Sequence, residues 1–280
     1  MENESLPSRG VVLAATPLGN IGDASPRLVH ALEHADVIAA EDTRRTRNLA
    51  SALGVEIRGK IVSNFDHNED KRVAELIDAA RHTAVLVVTD AGMPLVSDPG
   101  HSIVAAAHDA GIPVTCLPGP SAVTTALALS GLGVGRFIFD GFAPRKAGAR
   151  KAWLESLKNE ERAVCFFESP HRIEATLAEA AEILGERKAA VCRELTKTFE
   201  EVKHGTLSEL AGWSRDGVKG EVTVVMDGGH ETQDPEDVLA LVQQRVDDGM
   251  RAKDAVKEVA KNAGIKAGEL YDAFIAARSD

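Results

Sequence analysis

Between residues 10 and 142, short apolar runs alternate with segments whose apolar positions recur every three to four residues. VVLAA (11–15), DVIAA (36–40), KIVS (60–63), AVLVVTD (84–90), IPVTCL (112–117) and FIFDGF (137–142) read as strands. Between them, SPRLVHALEHA (25–35), the stretch from Thr43 to Leu53, EDKRVAELIDAAR (69–81), HSIVAAAHDAG (101–111) and SAVTTALALSG (121–131) read as helices. Ser25 and Pro26 supply an N-cap and a first-turn proline, and Gly54 supplies a stop. AVLVV has no polar alternation, which predicts a strand covered on both faces. Strands alternating with helices through short connections predict parallel βαβ units, with FIFDGF closing the region.

RKAGAR (145–150) is polar, basic and without apolar period, and reads as a link. Beyond it, a helix is expected at about 151–158, then strand AVCFFE (163–168), helix PHRIEATLAEAAEIL (170–184) opening on its proline, and strand KAAVCREL (188–195). EEVKHG (200–205) and EVTVVMD (221–227) are also strand-like, so a mixed sheet is expected. GGHETQD (228–234) reads as a linker, and three helical segments follow from Pro235. Among them KDAVKEVAKNAGIKAGELYDAFIAA has a helix-turn-helix pattern, with Gly264 in the turn and Ala255 and Val259 facing inward. The expected architecture is α/β: two α/β domains, 1–144 and 145–230, and a small C-terminal helical bundle, 235–280.

Composition narrows the function classes. With 44% hydrophobic and 27% charged residues, the 280-residue chain has the balance of a folded domain protein, not a disordered one. Three cysteines without a CxxC pair give neither a disulfide framework nor a cysteine zinc site. The longest uncharged stretch, 110–135, contains Pro113, Pro118, Pro120 and five glycines, so it does not read as a spanning helix. MENESLPSRG does not read as a signal peptide, and a cytoplasmic protein with no membrane partner is expected. A net charge of −11 argues against a generic nucleic-acid coat but leaves room for a local basic track.

The candidate chemistry lies where predicted strands end in Gly/Pro-rich loops. Ligands of open parallel sheets sit beyond the carboxyl ends of strands, where such loops converge. Three loops qualify: Thr16-Pro17-Leu18-Gly19-Asn20-Ile21-Gly22, the eleven residues from Asp90-Ala91-Gly92 to Gly100, and Pro118-Gly119-Pro120-Ser121-Ala122. Ser121 and Ala122 open a helix whose free N–H groups can hold a polar ligand. Gly131-Leu132-Gly133-Val134-Gly135 imitates a dinucleotide fingerprint, but its spacing is wrong and it follows a helix. Polar clusters also fall at strand ends: Glu41-Asp42-Thr43-Arg44-Arg45, Asn64-Phe65-Asp66-His67-Asn68 and Glu168-Ser169-Pro170-His171-Arg172. Capping explains their small residues but not the adjoining His and Arg. His67 lacks the carboxylate–histidine partners of a metal site, so no metal is expected.

ATPLGNIGD, AEDTRRTRNLASALG, VVTDAGMPLVSDPG, CLPGPSAVTTALALSG, GFAPRK, FESPHR, ELTK and KGEVTVV occur in that order over about residues 10–227. Together they resemble the ribosomal RNA small subunit methyltransferase I family, within the tetrapyrrole-methylase-like superfamily. The resemblance implies methyl transfer from S-adenosylmethionine to the ribose 2′-hydroxyl of a cytidine in 16S rRNA, on free RNA or the small ribosomal subunit, by a homodimer. Carried onto this chain, it implies a cofactor site of Asp90, Ala91 and Gly92 with Leu95, Val96 and Ser97. Pro17, Ser121 and Ala122 would stand beside these residues, with Phe167 and Gly220-Glu221-Val222 closing over the adenosine. The substrate side would comprise Glu41, Asp42, Arg44, Asn64, His67, Arg145, Lys146, His171 and Arg172.

A protonated ribose hydroxyl needs a base or a stabilised alkoxide. Glu41, Asp42 and His67 are candidates for the first role, Lys197 and Arg44 for the second, and the strand-end position favours Glu41 or Asp42. A tetrapyrrole methylase would share the cofactor loops, but the EDTRR, GFAPRK and SPHR clusters are too polar and basic for that substrate. A DNA-reading regulator would leave the three loops without a purpose.

Overall fold

The computed structural model describes residues 6–64, 69–97, 101–229, 235–263 and 266–277. Its first sheet contains β1 (Gly10–Ala14), β2 (Val37–Ala40), β3 (Lys60–Ser63), β4 (Ala84–Val88) and β5 (Val114–Leu117). They lie in the order β3-β2-β4-β1-β5 and every pair is parallel. The helices between them are α1 (Pro26–His34), α2 (Thr43–Ala52), α3 (Glu69–Ala80) and α4 (His101–Asp109). Period-2 alternation divides each strand between two cores. Val11, Leu13, Val85 and Val87 pack with Leu76 and Ile77 of α3 and Ile103 of α4. Val12, Ala14, Leu86 and Val88 pack with Leu28, Ala31 and Leu32 of α1. Both faces of β1 and β4 are therefore buried, as the unbroken apolar run predicts.

FIFDGF does not close this sheet. As β6 (Phe137–Phe142) it pairs in parallel with β7 (Ala163–Glu168) and forms the edge of a second sheet. That sheet also contains β8 (Lys188–Arg193), β9 (Glu201–Thr206) and β10 (Val222–Met226), in the order β6-β7-β10-β8-β9, with the remaining pairs antiparallel. α5 (Ala122–Leu129) likewise serves the second sheet. Its Val123, Ala126 and Leu127 are buried against Cys165, Cys192 and Val225. Periodicity identifies which residues share a face, but it carries no information on which sheet receives them.

α6 (Ala147–Ser156), α7 (Ile173–Leu184) and α8 (Leu207–Ser214) cover the opposite face, burying Leu154, Ile173, Leu177, Leu207 and Leu210. Three boundaries differ from expectation. α6 starts inside RKAGAR, because its first turn lies in solvent and needs no apolar period. α7 starts at Ile173, since Pro170–Arg172 form a turn in which the Ser169 carbonyl accepts from the N–H groups of Arg172 and Ile173. α8 was not anticipated; a reciprocal capping box between Thr206 and Glu209 opens it.

The last three helices, α9 (Pro235–Asp247), α10 (Ala252–Ala263) and α11 (Ala267–Ala277), bury Val238, Val242, Val256 and Phe274 together with the expected Ala255 and Val259. Gly264 lies outside the described residues. Among the described residues, no helix is long and apolar enough to cross a membrane.

Gly59 permits β3 to start beside β2. A Cβ there would sit 2.0 Å from the Ala35 carbonyl oxygen and 2.7 Å from that of Asp36, both backbone atoms. Gly59→Ala should therefore lower stability by about 1–3 kcal/mol in urea unfolding, as overpacking against rigid atoms does.

Candidate active site

In the strand order of the first sheet, the connections leaving β1 and β4 run in opposite directions across the sheet, β1 toward β2 and β4 toward β5, and the loops following these two strands meet there. Thr16 and Gly92 exchange both backbone hydrogen bonds, at 2.9 and 3.0 Å. The buried Thr16 also donates its hydroxyl to the Thr89 carbonyl at 3.2 Å. Gly92 has φ +85°, and a Cβ there would crowd Leu18 at 3.1 Å. Farther along the same loop, Leu95 (φ 71°) and Ser97 (φ 69°) adopt left-handed conformations that cost about 1–3 kcal/mol each. Packing supports them: Leu95 lies on the α3/α4 core and Val96 on the α5 core.

The loops and the second sheet enclose a cavity of about 370 Å³. The first sheet's side contributes Leu18, Glu41, Arg45, Thr89, Asp90, Ala91 and Ser97, and α5 contributes Ala122. The second sheet's side contributes Phe142, Phe167, Glu168, Ser169, Pro170 and the lip from Gly220 to Thr223. The volume suits a ligand of a few hundred daltons. Of the four lining carboxylates, Asp90, Glu168 and Glu221 are each paired with a cation (Arg45, Arg172 and Lys197), which leaves Glu41 without an ion pair among the described residues.

Asp90 is held on both oxygens. Oδ1 accepts from the backbone N–H of Asp42 at 3.1 Å, and Oδ2 from the Arg45 guanidinium at 2.9 Å. The hydrogen bond to Asp90, and then its charge, raise the pKa of Arg45. Glu41 accepts from the Thr89 hydroxyl at 2.6 Å and from the Asp90 N–H at 3.1 Å, both on Oε2. Its other oxygen takes no hydrogen bond from any described residue.

Asp42 is differently occupied. It caps α2 through the Arg44 N–H at 2.8 Å and pairs with the Arg44 guanidinium at 2.9 Å. These bonds hold its carboxyl down at about 2. It therefore remains ionised, and is a poor proton acceptor, throughout the neutral range.

The structure gathers nine of the predicted residues on the cavity: Glu41, Asp90, Ala91, Ser97, Ala122, Phe167, Gly220, Glu221 and Val222. Pro17, Gly92, Leu95, Val96 and Ser121 shape the loops without lining it. Arg44 points into solvent on Asp42. Asn64 is buried at the end of β3, its N–H bonded to the Ala40 carbonyl. Arg145, Lys146 and His171 are exposed and do not line the cavity. His67 lies outside the described residues.

Lys197 is a brace, away from the lining. Its ammonium bonds Glu194 at 2.9 Å and Glu221 at 3.0 Å. Burial pulls its pKa down, but these two bonds outweigh that and the net shift is upward. The Lys197 stem crosses Gly19, where a Cβ would fall 2.2 Å from Cγ. The brace thus joins the loop after β1 to the Gly220–Glu221 lip.

Among the described residues, no three His, Cys, Asp or Glu side chains converge as a metal site. Burial pushes the Cys165 and Cys192 thiols up to about 12 and about 11, leaving them as neutral core groups. Arg45, Thr89 and Phe142 were not assigned to the site from sequence. Arg45 was visible in the basic run, but which of its arginines faces inward depends on how α2 docks.

A family model described as tetrapyrrole (corrin/porphyrin) methylases matches residues 10–211. The chain is 54% identical over 273 residues to the ribosomal RNA small subunit methyltransferase I of Mycobacterium tuberculosis, covering 96% of each protein. It is 40% identical over 271 residues to the protein of that name from Halalkalibacterium halodurans, covering 94% of this chain and 93% of that one. The crystal structure of uroporphyrin-III C-methyl transferase from Thermus thermophilus, complexed with S-adenyl homocysteine, superposes with a TM-score of 0.53 at 18% identity. That match covers 78% of this chain and 96% of the other, and shows a shared fold.

Arg172, expected on the substrate side, pairs inward with Glu168 at 2.5 Å. The Glu168 side chain is fully buried and also accepts from Thr176 and from the Ser169 N–H. Arg172→Met would strand that charge, so stability should fall by about 3–5 kcal/mol in urea unfolding. The double variant Glu168→Leu/Arg172→Met should recover part of the loss.

Proposed function

The chain belongs to the tetrapyrrole methylase family, among the ribosomal RNA small subunit methyltransferases I, and on that premise we propose that it transfers a methyl group from S-adenosylmethionine to the ribose 2′-hydroxyl of a cytidine in 16S rRNA. The observation that carries the reading is the convergence of the β1, β4 and β5 loops and the Gly220 lip on one cavity with an apolar wall and a few fixed polar groups. The residues present fit the donor. Asp90, held rigidly by Arg45 and the Asp42 N–H, can accept from a ribose or an ammonium. Backbone groups at Ala91, Ala122 and Gly220–Val222 can meet the polar ends, and Phe167 offers an apolar wall.

When bound, S-adenosylmethionine supplies an electrophilic methyl carbon on a positively charged sulfur. The acceptor oxygen must approach that carbon in line with the departing sulfur, so orientation by the cavity walls carries much of the barrier reduction. Glu41 is the general base in this reading, with Oε2 anchored and Oε1 open. As the methyl group passed to the acceptor oxygen, leaving S-adenosylhomocysteine, the hydroxyl proton would pass to the Glu41 carboxylate and then to water. Asp42, tied to Arg44, maintains the start of α2 and thereby the N–H that fixes Asp90. The exposed Arg145, Lys146 and Arg44 supply phosphate contacts in a chain that is otherwise acidic.

We also place the protein in the cytoplasm as a homodimer. Supporting the dimer, Phe199 (72% exposed) and Ile21 (43% exposed) stand on loops tied together by the bond from the Asn20 N–H to the Thr196 hydroxyl. Large apolar side chains so placed are what a second copy covers. Sedimentation should show a species of twice the chain mass, and Phe199→Asp should shift it toward monomer.

Labelled S-adenosylmethionine incubated with small ribosomal subunits should yield one 2′-O-methylcytidine, located by mass spectrometry. In single-turnover assays Glu41→Gln should be slower by about 10²–10⁴-fold, the usual contribution of a general base. It should keep donor affinity within about threefold, and Asp42→Asn should retain most of the rate. Transfer to a precorrin in place of RNA would sink the reading.

A further inference from the structure

Phe142 is an apolar ring on the cavity wall that remains 61% exposed. It reaches this position through an irregularity in β6. Ile138 pairs with Val164 and Phe139 with Cys165, but the next pairing is Phe142 with Phe167, so one extra residue has been inserted. In unbroken register, Gly141 would oppose Phe167, and Phe142 would oppose Glu168 on the other face. The insertion therefore turns Phe142 to the cavity side, since a one-residue shift reverses the face of a strand side chain. Gly141 permits it with φ +67°, and a Cβ there would meet the Ser97 hydroxyl at 3.3 Å.

The ring packs against one aromatic neighbour and is otherwise largely exposed. Phe142 and Phe167 form a T-shaped pair at 5.3 Å and 63°, and Phe167 and Phe139 another at 5.0 Å and 66°. Behind them, the Ala143 N–H bonds the Phe167 carbonyl, and Arg172 donates to the Ala143 carbonyl at 3.4 Å. Most of the residue's surface stays open to solvent beside the cavity. Arg145 and Lys146 follow within four residues, exposed and without an ion pair among the described residues.

An exposed aromatic ring packed on a second ring and followed by two cations suits an unpaired nucleobase with its phosphates. RNA is read mainly through such unstacked bases laid on aromatic rings. We propose that Phe142 is the stacking platform for the base of the nucleotide being methylated, with Arg145 and Lys146 on the adjoining phosphates. The inference rests on the reading that an RNA ribose accepts the methyl group. It gives Phe142 a role in positioning the acceptor and none in holding the donor.

The test uses full-length Phe142→Leu, Phe142→Ala and Phe142→Trp variants, with small ribosomal subunits as substrate and calorimetric titration of S-adenosylmethionine. Loss of a base stack should raise KM for the subunits by about fivefold to a hundredfold in the Leu and Ala variants. Donor Kd should stay within about twofold and the sedimentation coefficient should not change. Tryptophan should restore KM, because it offers a ring where leucine offers only apolar volume. A Leu variant with wild-type KM, a donor Kd that weakens in step with KM, or a change of oligomeric state would each overturn the role of Phe142. A wild-type protein that binds the donor but methylates no RNA would overturn the underlying reading, and the variants with it.

Discussion

The site depends on α5 lying across the second sheet. Val123, Ala126 and Leu127 are buried against Cys165, Cys192, Val225 and Leu195, so the helix that leaves the first sheet is embedded in the core of the second. This apolar contact fixes how the two sheets face each other. Residues from both can then share one cavity, although few polar contacts cross it. At about 0.8 kcal/mol per buried CH₂, such a cluster outweighs any exposed ion pair nearby, which contributes about 0–1 kcal/mol. The few polar groups of the lining can therefore be arranged for chemistry, because stability is supplied behind them.

Within that frame, the loop after β4 connects the two halves. Its start is bonded to the loop after β1 through the Thr16–Gly92 pair, and its end places Ser97 against Gly141 of the second sheet. Two non-glycine residues with positive φ, Leu95 and Ser97, mark where the backbone is forced. Asp90 at the head of the loop is fixed by partners from the start of α2. Glu41 is fixed in turn by Thr89 and the Asp90 N–H. The acidic groups are thus ordered before any ligand arrives, the condition under which electrostatics contribute most to a transition state.

Much of this was legible in the chain. The unbroken apolar run of β4, the Ser25–Pro26 start of α1 and the three Gly/Pro-rich loops each have a local cause, and each appears where expected. Properties set by docking were not legible. FIFDGF looks the same whether it closes the first sheet or edges the second. Arg44 and Arg45 are about 100° apart on a helix, and only the seating of α2 decides that Arg45 reaches Asp90. Phe142 turns inward because of one inserted residue, for which the sole local sign is Gly141. The Thr206–Glu209 capping box that opens α8 was readable, but eight residues gave too short a period to attract notice.

The Lys197 stem fills the space that any side chain at position 19 would require. Enlarging residue 19 would therefore push that stem aside and disturb its hold on Glu194 and Glu221.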